Sequence, residues 1–573
     1  MMKRLIFIFT VLFLSLAGLV AQPVIDLDLE AEMQRIGDDE QIAVIVLMKA
    51  QYDRSQLCRR ADYYPSRAER RAFVVNELKT FMEASQHDLK RILAEMESHG
   101  LVSSVRSLWS ANALYFEATK TALLDLSERA DIETISLNIQ HQWIPNGETQ
   151  NLASTTREIT PNITMVNADQ MWELGYTGAG VVVAVVDSGV NYNHLDLADH
   201  LWDGGEEFPH HGYDIVNDDD DPMDDKGHGT HCAGTVCGDG TAGSLTGIAP
   251  DATLMCVKSI RGDGFGGAVN IAGGMEWAVE HGCDLISMSL GMVDAGTTDK
   301  ELLRRTCEAV LDAGIVAMVC AGNEGNAFLQ MTYPVPNNVR VPASCPPPYL
   351  DPDQMANPGA LSCVVAVGAV NYNDATADFT SRGPVTWQDT EFGDYTYNPG
   401  IGLIRPDLCA PGVNIKSLDY ENTSGYTNMD GTSQATPCVA GIVALMLQKN
   451  PELTPAEICS ILEETSVKLT PTKSNTTGVG RVDALAAVNA VEAYDGITEQ
   501  SIEAEIFPNP SSGSFTIVCE GVKRVSVYSV DGRLVQNQSV KGSECMIEGL
   551  ESGVYLVRIE TDKETFVRII VKM

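Results

Sequence analysis

An α/β fold, with a parallel sheet flanked by helices, is predicted for the middle of this chain by three observations. Short, almost purely apolar runs recur from Val181 onward: VVVAVVD, TLMCVKS, DLISMSL, IVAMVCAGN and CVVAVGAV. Helix-like segments alternate with them. Polar residues and glycines gather where these runs end, at Asp187, Ser289-Leu290-Gly291 and Asn323. Strands that are apolar throughout are buried on both faces, as in a parallel sheet covered by helices. In such sheets the ligand crevice lies beyond the carboxyl ends of the strands.

The rest of the chain is organised around this block. At 573 residues it exceeds one ordinary core and is expected to hold several domains. Residues 1–21 place Lys3 and Arg4 before the apolar run Leu5 to Leu16 and small residues near Ala21, which reads as a secretory signal. The run is shorter than the ~20 residues that a membrane-spanning helix requires. Residues 22–145 read as a small α+β unit. Within it, 42–48 is a buried strand, 68–98 an amphipathic helix, and 113–139 a strand, helix and strand. Residues 146–160 are polar, without periodicity, and suit a linker that can be cut. The α/β block then fills 146–495. From 501 to 573, β-rich runs (SFTIVCE, RVSVYSV, VYLVRIE, FVRIIVKM) separated by the turn signals Asp531-Gly532 and Ser552-Gly553 predict an antiparallel β-sandwich.

Composition narrows the function classes. With 44% hydrophobic and 20% charged residues the chain is globular rather than disordered. Its net charge of −39 is concentrated in residues 146–495, where 47 acidic residues face 15 basic ones. Such a surface repels phosphate backbones, so nucleic acid is excluded as a partner, whereas cations and basic peptides are attracted. Of the 14 cysteines, Cys256, Cys320 and Cys363 lie in apolar runs, and Cys232 and Cys438 among small helix-packing residues. Those contexts suit small buried hydrophobes better than a disulfide framework.

Three residues carry a chemistry when read together. Ser433 lies in Asp430-Gly431-Thr432-Ser433-Gln434-Ala435-Thr436-Pro437, directly before an apolar helix. Its hydroxyl would sit at a helix N-terminus, where glycine permits close approach and the dipole favours negative charge. Taken alone, a serine in that place is an ordinary N-cap. His228 lies in Gly227-His228-Gly229-Thr230-His231-Cys232-Ala233-Gly234, and Asp187 ends the first apolar strand. A serine nucleophile needs a base to take its proton, a carboxylate to orient that base, and donors for the oxyanion. Asp187, His228 and Ser433 supply the first three roles, and His231 is read as structural.

The contexts VAVVDSGV, GHGTHCAG, SLG, AGNEG and GTSQATP, in the order Asp, His, Ser, resemble the subtilases over about residues 165–490. The resemblance implies a subtilisin-like sheet and a secreted serine endopeptidase that acts through an acyl-enzyme on Ser433 and is made as a self-inhibited precursor. It makes Asn323 the side-chain donor of the oxyanion hole, with the Ser433 backbone NH as its partner. It also makes Ser289, Leu290 and Gly291 the strand that pairs with the substrate backbone, so that substrate binds as an added strand. Residues 22–145 resemble the inhibitor-type propeptide of that family. Residues 501–573 resemble a C-terminal sorting domain of the type IX secretion system, which implies that machinery as a partner and a destination outside the cell or on its surface. No cofactor is implied for the chemistry. Asp218, Asp220 and Asp224, in the run Asp218-Asp219-Asp220-Asp221-Pro222-Met223-Asp224-Asp225, suit either hard oxygen ligands of a structural calcium ion or a solvated acidic loop. A catalytically silent binding protein and an exopeptidase are the rival readings. The intact triad argues against the first, and the lack of a dedicated charge for a substrate terminus argues against the second.

Overall fold

The computed structural model describes residues 24–64, 66–144, 150–152, 158–346, 364–387 and 402–492. In the C-terminal part it describes 505–507, 514–518, 522–529, 534–540, 542–550, 552–561 and 565–572. The signal segment, Cys363 and most of the proline-rich stretch after Ser344 lie outside the described residues. The chain divides into two compact units, residues 1–492 and 493–573.

The first unit is built on a seven-stranded parallel sheet in the order Leu408–Pro411, Val365–Val370, Val316–Cys320, Leu285–Met288, Val182–Asp187, Thr253–Lys258 and Gly212–Asp214. Five of these are the apolar runs of the sequence. Nearly every residue in them is buried, because helices cover both faces. Helices His228–Cys237 and Thr432–Lys449 pack on one face, with Val183, Val185, Cys232, Ala435 and Val439 in one apolar core. Helices Ala268–Glu280 and Thr297–Asp312 cover the other, with Ala184, Val186, Met275 and Leu303.

An N-terminal lobe belongs to the same unit. Its five-stranded sheet runs Val24–Ile25, Ile132–Leu137, Gln41–Met48, Ala113–Thr119, Val102–Leu108. The helix Arg67–Ser98 opens on Ser66, whose side chain accepts from the Glu69 N–H, and buries Val74, Leu78, Met82, Leu89 and Leu93 at helical spacing. The lobe's outer core includes Leu29, Val44, Val46, Leu114 and Phe116. Its other side joins the core around helices Ala268–Glu280 and Thr297–Asp312, through Leu78, Met82, Leu108 and Trp109.

The second unit holds two antiparallel sheets. One comprises Glu505–Phe507, Phe515–Val518 and Glu544–Ile547; the other comprises Leu534–Ser539, Val522–Ser529, Gly553–Thr561 and Thr565–Lys572. Phe515, Ile517 and Ile547 from the first share a core with Val525, Val527, Val557 and Ile559 from the second. This is a small sandwich. Among the described residues no helix is long and apolar enough to cross a membrane, and the twelve described cysteines are all free.

Candidate active site

The central strand Val182–Asp187 delivers Asp187 to its carboxyl end, where the residue is fully buried. Its Oδ1 accepts from the Ser188 N–H at 2.8 Å and lies 2.8 Å from His228 Nδ1. His228 opens the helix His228–Cys237. The glycines beside it are required by space: a methyl group on Gly227 would come 2.4 Å from the Tyr420 ring, and one on Gly229 would come 2.0 Å from the Gly189 carbonyl oxygen. Since a carboxylate only accepts, Nδ1 must carry the proton, and Nε2 is the nitrogen free for chemistry. Burial opposes protonation of His228, but the Asp187 charge, the hydrogen bond to Asp187 and the neighbouring Cys232 together outweigh it and hold the imidazole well above its ordinary pKa.

Ser433 is the second residue of helix Thr432–Lys449 and is nearly buried. Its Oγ donates to the Ser289 carbonyl at 3.0 Å, and Ser289 Oγ donates to the Ser433 carbonyl at 2.7 Å. This reciprocal pair ties the end of strand Leu285–Met288 to the start of the serine helix. Cys232 lies beneath, its Sγ 3.9 Å from His228 Nδ1 and 3.6 Å from the Ser433 carbonyl oxygen. Burial pushes its thiol pKa up.

Asn323 follows strand Val316–Cys320. Its Oδ1 accepts from both the N–H and the hydroxyl of Thr432, each at 3.0 Å. That fixes the amide with Nδ2 turned toward Gly431. A methyl group on Gly431 would lie 3.3 Å from Asn323 Nδ2 and 3.5 Å from Ser433 N. Asn323 Nδ2 and Ser433 N thus border one small space beside Gly431, with Gln434 Oε1 nearer still, 2.7 Å from the position such a methyl would take.

A strand from the N-terminal lobe lies along this cleft. Residues His141–Gln142 pair antiparallel with Phe265–Gly266. The Trp143 and Ile144 N–H groups donate to the Gly264 carbonyl at 3.0 and 3.3 Å. On the opposite side, the Gly291 N–H donates to the Trp143 carbonyl at 3.4 Å. Trp143 is fully buried and its indole N–H donates to the Gly266 carbonyl at 2.8 Å. The lobe thus adds a strand between the edges Phe265–Gly266 and Gly291. Of the residues read from sequence as pairing with substrate, Gly291 makes this contact, while Ser289 is engaged with Ser433. The edge Gly264–Gly266 was not singled out from the sequence; the glycine run Gly262-Asp263-Gly264-Phe265-Gly266-Gly267 was its available signal.

The acidic loop before His228 places its carboxylates in separate surroundings. Asp224 is buried, its Oδ1 accepting from Ser188 Oγ, Lys226 N and Gly227 N, and its Oδ2 from Thr230 N and Oγ1, at 2.6 to 3.0 Å. These bonds hold the start of the His228 helix and occupy both carboxylate oxygens. Asp218 accepts from the Tyr213 hydroxyl at 2.9 Å, and Asp220 lies 3.8 Å from His210 Nδ1. Among the described residues the only group of three His, Cys, Asp or Glu ligand atoms within 4.8 Å is Asp187, His228 and Cys232. Asp218, Asp220 and Asp224 are not brought together as one such group. His231 behaves as a structural residue: it is buried, with Nε2 on the Ile415 carbonyl at 3.1 Å, and burial, reinforced by His228, pushes its pKa down to about 3.

Comparison with known proteins agrees with this arrangement. The subtilase family pattern matches residues 178–482, and a secretion system C-terminal sorting domain matches residues 505–573. The serine protease AprX of Bacillus subtilis (strain 168) is 34% identical, over 65% of this chain and 78% of its own length. Subtilisin DY of Bacillus licheniformis is 32% identical over 54% of this chain and 91% of its own length. Bacillopeptidase F of Bacillus subtilis (strain 168) is 28% identical over 76% of this chain but only 30% of its own length. The chain belongs to the subtilase family of serine endopeptidases and ends in a C-terminal sorting domain of the type IX secretion system.

Proposed function

We propose that Ser433, His228, Asp187 and Asn323 perform the peptide-bond hydrolysis. The single observation that carries this reading is the convergence at one cleft of the Asp187–His228 pair, the Ser433 hydroxyl at a helix N-terminus, and the Asn323 amide and Ser433 backbone nitrogen beside Gly431. A substrate extended between Phe265–Gly266 and Gly291 brings its carbonyl carbon to Ser433. The hydroxyl leaves the Ser289 carbonyl, attacks, and passes its proton to His228 Nε2, while Asp187 orients and stabilises the imidazolium. Asn323 Nδ2 and the Ser433 N–H take the oxyanion. His228 then gives the proton to the departing amine, leaving an acyl-enzyme on Ser433. Water, deprotonated by His228, releases the acid and restores the serine. As in subtilases generally, no cofactor enters these steps.

Residues 22–145 act as the inhibitory propeptide and residues 146–495 as the peptidase. The strand His141–Gln142 and the buried Trp143 occupy the substrate track, so the precursor blocks its own cleft. The test is to express the precursor beside its Ser433→Ala variant, following propeptide release by mass and casein cleavage by fluorescence. Only the wild type is expected to mature and cleave; equal behaviour of the two would remove Ser433 as the nucleophile. In matured enzyme, Asn323→Ala is expected to lower kcat by roughly 10²- to 10³-fold, the usual cost of one oxyanion donor. An unchanged kcat would reassign that donor.

A further inference from the structure

The cleft contains a buried ion pair that the chemistry above does not use. Arg340 is laid between the two walls that flank Ser433: its N–H donates to the Ala321 carbonyl, and the next residue, Val341, exchanges both backbone bonds with Met292. Its side chain runs against a glycine on each wall. A methyl group on Gly291 would come 2.7 Å from Arg340 Cβ, and one on Gly322 would come 2.8 Å from Arg340 Cγ. At the end of that stem, Arg340 Nε donates to both carboxylate oxygens of Glu324 at 3.0 Å, and Nη2 donates to Oε1 at 2.5 Å. Both residues are only 5% exposed. The second Glu324 oxygen also accepts from the Asn323 N–H at 2.8 Å and from Ser381 Oγ at 3.0 Å. Burial opposes the Arg340 charge, but the Glu324 charge and hydrogen bonds, with Cys320 and Tyr333 nearby, together outweigh it and hold the guanidinium above its ordinary pKa. Arg340 Nη1 reaches the Trp143 carbonyl at 3.4 Å, the same oxygen that Gly291 holds. The pair therefore lies directly beside the strand that sits where substrate sits.

We propose that Arg340, clamped by Glu324, sets which side chain is accepted next to the scissile bond, filling the space between Ser289–Gly291 and Gly322–Asn323 so that only small, uncharged residues fit. The proposal rests on the reading of Ser433 and Asn323 given above. The side chain preceding the cut must enter between the walls that carry those two residues, and that space already holds the arginine stem. A large side chain would have to displace a buried, bidentate pair, and pulling one partner away leaves an uncompensated charge. A charged side chain meets a site whose two charges already satisfy each other, so neither sign is rewarded.

The experiment measures kcat/KM of the matured enzyme on fluorogenic peptides identical except for the residue before the cut: Ala, Asn, Phe, Arg or Glu. Active sites are counted by a serine-directed phosphonate. The wild type is expected to favour Ala and Asn over Phe, Arg and Glu by at least tenfold. Arg340→Gly combined with Glu324→Gln removes both charges together and empties the space. It is expected to raise the Phe-to-Ala ratio of kcat/KM at least tenfold, a change of preference that loss of stability alone would not produce. A wild type that cuts after Phe as readily as after Ala, or one that prefers Glu because Arg340 leaves its partner, overturns the proposal; so does a double variant whose ratio does not move. The wild-type profile stands even where the double variant fails to fold. Cleavage that persists in Ser433→Ala sinks the underlying reading instead, so the two failures are distinguishable.

Discussion

The two helix layers on the central sheet are buried in different ways. Helix Thr432–Lys449 is apolar almost all round, and residues Thr432 to Leu447 are buried by other parts of the peptidase. Helix Thr297–Asp312, on the opposite face, is also largely buried, yet it carries Asp299, Arg305 and Asp312 at 4%, 7% and 6% exposure. Each of these meets a residue of the N-terminal lobe: His141 with Asp299 at 3.1 Å, Glu133 with Arg305 at 3.5 Å, and Arg54 with Asp312 at 2.8 Å. Charged residues are rarely fully buried unless paired. Under the propeptide reading proposed above, the charged part of this surface can be wetted when the lobe is removed, whereas the surface over Thr432–Lys449 stays covered by the peptidase itself.

The largest expected effect breaks the permanent side. A methyl group on Gly441 would lie 2.5 Å from Ile248 Cβ, so Gly441→Leu has no room on that face. Overpacking of this kind costs about 1–3 kcal/mol or more. The thermal midpoint of matured enzyme is expected to fall by roughly 5–10 °C, while Arg305→Ala, on the releasable side, shifts it by less than ~2 °C. Equal losses in the two variants, measured by calorimetry after propeptide removal, would erase the distinction.

A smaller effect sharpens the releasable side. Trp143 is the buried anchor of the strand in the cleft, and removing a central aromatic anchor commonly costs an interface about 2 kcal/mol or more. In a full-length Trp143→Ala precursor, the lag between cleavage, seen by mass, and appearance of activity is expected to shorten by about 30-fold. An unchanged lag would mean that the lobe is held elsewhere.

How much of this was legible in the sequence follows from the same contrast. Strands buried on both faces announce themselves as continuous apolar runs, and five of the seven were read that way. Leu408–Pro411 and Gly212–Asp214 were not, being only four and three residues long. In the lobe, Val102–Leu108 escaped notice because it is an edge strand with polar residues at its centre. Asp187, His228 and Ser433 were legible because tight approach demands glycines around them. The edge Gly264–Gly266 meets the lobe strand chiefly through carbonyl oxygens, which no side-chain type encodes. The bonds of Asp224 to the N–H groups that open the His228 helix were not legible for a related reason: a carboxylate that holds backbone N–H groups has the same composition signature as one in an acidic loop.

The finest test concerns protons at the lobe interface. Glu276 is buried there, accepting from the Ser110 N–H at 2.7 Å, with Glu280 and Lys79 nearby. Burial pushes its carboxyl up from 4.5 to about 8. The covered carboxyl therefore holds a proton that an uncovered one releases between pH 4.5 and 8. Its contribution to lobe binding is fully present below pH 4.5 and is lost progressively as pH rises toward 8. The lag before activity should accordingly shorten as maturation is run at higher pH across that window, by at most tenfold per pH unit for one proton. Glu276→Gln keeps an acceptor for Ser110 but cannot ionise, so it should flatten this dependence without abolishing maturation. If the pH dependence of the lag is the same in both proteins, Glu276 is not the group that couples lobe binding to pH.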